Sequence, residues 1–151
     1  MKTVKRRIFT SVIACFMACM MFAMPVLAAT TSSSYFSKTT TKLNAINGSQ
    51  SKISSVTSGS VPDGASVTSV KVFCNVASGT DPYTLYIKSP EGTIASFSGP
   101  TKSTTFTTNV FNGETPKGTW SVWIVNSGVS YNGNLIPAST VTVSLTGYYD
   151  Y

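Results

Sequence analysis

Ser66-Val67-Thr68-Ser69-Val70-Lys71-Val72-Phe73-Cys74-Asn75-Val76 decides the fold. Val70, Val72, Cys74 and Val76 fall on one side, and Lys71, Phe73 and Asn75 on the other. A period of two is that of a strand with one buried face. Downstream, Tyr83–Lys88 puts Tyr83, Leu85 and Ile87 together. Ser89-Pro90-Glu91-Gly92 then reads as a turn, since proline's fixed φ suits its second position and glycine its fourth. Residues 93–98 and the Thr-rich 104–111 continue the strand pattern. Thr119–Asn126 aligns Trp120, Val122 and Ile124, and 139–148 aligns Val141, Val143 and Leu145. No helical period persists for two turns between residues 61 and 151. Short alternating runs separated by turns predict an all-β sandwich.

Upstream, the chain opens on a different pattern. Residues 1–7 carry Lys2, Lys5, Arg6 and Arg7, residues 8–24 are largely apolar, and Pro25 precedes Val26-Leu27-Ala28. This is the layout of a secretory signal peptide over 1–28, cut after Ala28 or after Ala29. This stretch of 17 residues falls short of the ~20 that span a bilayer, which disfavours a retained anchor. Val12-Ile13-Ala14-Cys15 has the form of a lipobox, but it lies in mid-stretch with Phe16 to Met24 still to follow. Residues 29–60 are the third segment. Sixteen of the 31 residues from 30 to 60 are Ser or Thr, and apolar residues are sparse. That composition predicts a flexible leader outside the sandwich, with a stable core beginning near Val61.

Charge and composition narrow the chemistry. The formal charge of the whole chain is +6. From residue 29 onward, seven lysines, no arginine and five acids leave +2. No basic stripe or arginine fork is present for nucleic acid. The sequence contains no histidine, which removes imidazole bases and histidine-ligated zinc. Cys74 stands alone once Cys15 and Cys19 leave with the signal, so it forms no intramolecular disulfide; its expected role is a small buried hydrophobe. Glu91 and Glu114 lie in apparent turns, and the many hydroxyls lack an activating base. The expectation is a protein that is not an enzyme. No cofactor is expected either; calcium, which wants six to eight oxygens, is the one alternative left open, with Asp81 in the turn Gly79-Thr80-Asp81-Pro82 as a single weak signal.

Several of these stretches together resemble a known family. Val70 to Val76, then Tyr83-Thr84-Leu85-Tyr86-Ile87-Lys88-Ser89-Pro90-Glu91-Gly92-Thr93, then Phe111-Asn112-Gly113-Glu114 and Gly118-Thr119-Trp120-Ser121-Val122-Trp123-Ile124 are similar to the P domain, or Homo B. That domain is attached to subtilisin-like proprotein convertases and many bacterial secreted proteases. The match covers residues 61–126 in order and approximate spacing. Departures are the absent His-Thr-Tyr type segment, replaced by Ala77 to Pro82, and a closing motif reduced to Tyr131-Asn132-Gly133-Asn134-Leu135. The resemblance implies a jelly-roll-like antiparallel β-sandwich, here as a module without a protease domain, and it implies no proteolysis.

The function expected is that of a secreted, non-catalytic module that binds a protein or cell-surface partner. The alternatives are a carbohydrate-binding module using exposed aromatics, or an accessory module for a separately encoded secreted protease. Membrane contact is expected only through the signal segment before cleavage. Parity supplies the candidate ligand-binding residues. If the Val, Leu and Ile positions point inward, then Phe73, Tyr86 and Trp123 point out, whereas Trp120 belongs to the core. Outward strand positions are normally polar, so three large rings there need either cover or a ligand. The cover expected is the leader, the Tyr148–Tyr151 tail or a second chain.

Overall fold

The structure is a computed structural model and describes residues 30–129 and 136–151. The signal-peptide reading and the closing segment 131–135 fall outside the described residues. Nine strands are present: β1 (Ser33–Thr39), β2 (Leu43–Ile46), β3 (Ser54–Thr57), β4 (Ser66–Val76), β5 (Tyr83–Lys88), β6 (Ile94–Gly99), β7 (Thr104–Thr108), β8 (Thr119–Asn126) and β9 (Ala138–Asp150). Among the described residues there is no helix.

Two antiparallel sheets pack face to face. The first runs β1-β9-β4-β7, with β2 also bonded to β9; the second runs β3-β8-β5-β6. β1 and β2 are one interrupted strand, because both pair with β9 and their registers differ by one residue. Counted so, eight strands divide four and four in the order of a jelly roll. Alternation works as the sequence implied. Val70, Val72 and Cys74 of β4 face Leu85 and Ile87 of β5 and Val122 and Ile124 of β8 in one core. Trp120 is fully buried: its indole meets Phe111 edge-on at 5.1 Å and Phe36 at 5.7 Å, and its Nε1 donates to the Pro116 carbonyl. Phe97 of β6 and Phe106 of β7, 5.1 Å apart, pack against this core.

The flexible leader expected over 29–60 is corrected by the structure. Residues 33–57 supply β1, β2 and β3, and Phe36, Leu43, Ala45 and Val56 are core residues. The composition misled because these strands combine a few apolar core residues with buried, hydrogen-bonded hydroxyls. Buried hydroxyls of Thr40, Ser51, Ser54 and Ser58 accept from the backbone amides of Val143, Ile124, Thr41 and Gly118, at 3.0 to 3.1 Å. A hydrogen bond made in this way offsets the cost of burying the hydroxyl.

The Ser89–Gly92 turn forms as read, with the Gly92 amide donating to the Ser89 carbonyl at 3.1 Å. It meets the segment leading into β8 in space. A Cβ on Gly118, whose φ is +134°, would come within 2.9 Å of Pro90, and the Glu91 carboxylate accepts from the Thr115 amide at 2.5 Å. The Ser89–Gly92 turn and the segment before β8 therefore build one structural corner.

Candidate functional site: the outer face of the second sheet

β5 and β8 are neighbours in the second sheet, and their register sets Tyr86 directly opposite Trp123. Both point outward, and both are partly exposed. Their rings are parallel within 3°, with centroids 5.3 Å apart. Parallel rings at that separation are offset-stacked, each covering part of one face of the other. Neither the tail nor residues 33–57 lie over them, because those segments are strands of the sandwich itself. The rings therefore shield each other, and both remain partly exposed. Ile94 of β6 and Ile53, one residue before β3, extend the patch on either side, each 55 % exposed. Ser96, Ser121 and Lys88 lie among them.

Phe73 does not belong to this site. It lies on β4 in the first sheet, between Ser144 and Thr105 in register, and is 41 % exposed. Its side chain faces away from the opposite side of the sandwich. The expected trio divides into a stacked pair and a separate ring, since parity gives direction within a strand but not the sheet to which the strand belongs.

Of the remaining candidates for chemistry, Asp81 and Glu91 have structural partners, whereas Glu114 Oε2 is buried without one among the described residues. Asp81 joins the β4–β5 loop to the start of β9: its Oδ2 accepts from the Ala138 amide at 2.9 Å, and its own amide donates to the Ala138 carbonyl at 2.8 Å. Beside it, the buried Asn126 donates to Ser139 Oγ at 2.7 Å, and Ser139 donates to the Asp81 carbonyl at 2.8 Å. No group of three or more Cys, Asp or Glu suited to a metal occurs among the described residues. Lys117 reaches Asp63 at 2.6 Å and holds its carboxyl below the usual carboxylate range, through their hydrogen bond and then through charge. Burial pushes the Cys74 thiol up, away from the reactive thiolate. Its neighbour Tyr83 is likewise pushed up, first by burial and then by Cys74. The two lie side by side without reaching hydrogen-bond geometry, and among the described residues the Tyr83 hydroxyl has no partner.

No protein-family model matches the chain, and no curated protein matches it. A solved structure does. The crystal structure of FLHE aligns at a TM-score of 0.54 with 18 % sequence identity, over 80 % of this chain and 98 % of that one. At that identity the likeness is one of fold, and FLHE is matched over almost its whole length.

Proposed function

We propose that the chain is a secreted, non-catalytic β-sandwich module that binds a protein or cell-surface partner through the outer face of β3-β8-β5-β6. The observation that carries this reading is the stacked Tyr86–Trp123 pair, with Ile53 and Ile94 exposed on either side. Exposed aromatic and aliphatic side chains on a rigid sheet supply contact area at little entropic cost, and Trp and Tyr are typical interface anchors. The non-catalytic part is supported by the absence of histidine from the sequence and by the backbone and lysine partners of Asp81, Glu91 and Asp63. Export is supported by the basic and apolar layout of residues 1–28.

The test compares binding of fluorescently labelled wild-type protein and Trp123→Thr to intact producing cells. The variant is expected to keep a near-native melting temperature, because Trp123 is only partly buried, and to lose most of the saturable binding. Equal binding by both proteins refutes the site. A Trp123→Thr variant that unfolds makes Trp123 a core residue and refutes it as well.

A further inference from the structure

The first sheet carries a feature that the partner-binding reading does not use. β4 and β9 pair continuously except at one point: Val67 lies opposite Tyr149 and Ser69 opposite Tyr148, leaving Thr68 as an extra residue. This is a β-bulge, a device that re-aims side chains and recurs beside binding sites. Val67 and Val70 both remain buried, so the three-residue step between them turns Thr68 and Ser69 toward solvent together. At this point a shallow groove of about 380 Å³ opens, lined by Ser33, Thr68, Ser69, Asp150 and Tyr148, with the backbone of Ser34 and Tyr149 beside them. Ser33 Oγ donates to Asp150 Oδ1 at 2.6 Å. Tyr35, 63 % exposed, stands beside Tyr148 with ring centroids 6.0 Å apart.

We infer that this groove is a binding site for a neutral saccharide. Each feature of the lining selects for that class. Serine and threonine hydroxyls both donate and accept, and a carboxylate offers about four acceptor positions, of which Ser33 uses one. Adjacent sugar hydroxyls are donors and acceptors of the same kind. The Tyr148 ring supplies an amphipathic face for the C–H side of a sugar ring, and Tyr35 stands beside it at the edge. The lining contains no lysine or arginine, so the carboxylate disfavours an anion. One carboxylate is also too few for a calcium shell. An apolar peptide would leave the hydroxyls and the carboxylate desolvated and unpaired. The groove is on the face of the sandwich opposite Tyr86 and Trp123, and the inference does not rest on the role of that pair.

The test is an amide-shift titration of isotope-labelled protein with millimolar cellotetraose, N-acetylchitotetraose and maltotetraose, and with trigalacturonate as the anionic comparison. At least one neutral tetrasaccharide is expected to shift the amides of Ser33, Thr68, Ser69, Tyr148 and Asp150. Thr68→Val exchanges one exposed hydroxyl for a methyl and keeps the shape. It is expected to weaken that binding about tenfold, as are Tyr148→Ala and Asp150→Asn, while Trp123→Thr leaves it unchanged. The inference is overturned if none of the three neutral sugars moves these amides, if trigalacturonate binds as well as they do, or if Thr68→Val and Tyr148→Ala bind like the wild type.

Discussion

Phe36 lies in the segment that composition marks as a leader, so its removal tests whether residues 33–57 are integral to the fold. The ring is buried against Trp120 and rests over Gly147, its register partner on β9. A Cβ built on Gly147 would approach Phe36 Cε1 to 2.3 Å; the ring occupies the space that a side chain at 147 would fill. Phe36→Ala empties that space beside a residue that cannot refill it. The cost is therefore placed within the usual range for a buried Phe, about 3–5 kcal/mol. In a sandwich of this size that is a fall in Tm of roughly 10–20 °C. Gly147→Ala alone adds a methyl group where there is no room and costs about 1–3 kcal/mol. Combined with Phe36→Ala, the same methyl enters the vacated space, and alanine's lower backbone entropy in the unfolded chain turns the effect favourable. Thermal and urea unfolding of the two single variants and the double variant should give a coupling of at least about 1.5 kcal/mol. The reasoning is refuted if Phe36→Ala melts within about 3 °C of wild type, or if the two changes are additive.

Two further outcomes are expected. Because Cys74 and Tyr83 are held neutral by burial, their folded pKa values lie above the unfolded ones. Their contribution to stability is complete below the ordinary thiol value of 9.0 and is lost as pH rises beyond it; urea midpoints measured upward from pH 8 should fall, and fall less steeply in Cys74→Ala. Asn126→Ala removes the donor to Ser139 and the acceptor for the Gly128 and Gly48 amides, so it should cost about 2–3 kcal/mol; a loss below about 0.5 kcal/mol by urea unfolding would show that those amides find other partners.

The sandwich was legible from Val61 onward because its inward positions are apolar and its turns are marked by Pro and Gly. Trp120 could be assigned to the core from its phase with Val122 and Ile124 alone. Residues 33–57 were not legible as strands, because their inward-facing positions mix Ser54 with Phe36, Leu43 and Val56. Their stability comes from pairing with β9 and β8, which no local pattern reports. Parity turned Tyr86 and Trp123 outward, but only the adjacency of β5 and β8 makes them a pair. The same topology separates Phe73 from them. The bulge did leave a sequence signal: Val67 and Val70 are three apart in a strand whose other buried residues are two apart, so one residue had to stand outside the ladder.

The long central strand β9 also sets the order in which the chain can fold. It is bonded to β1 and β2 on one side and to β4 on the other, and the Ser33–Asp150 contact joins residues 117 positions apart. Strands near the start of the sandwich thus wait for the last one to appear before they gain a partner. Such non-local pairing raises contact order and slows folding. β5 and β6, by contrast, are consecutive strands paired with each other, so that hairpin closes early while β1 and β2 still lack their partner.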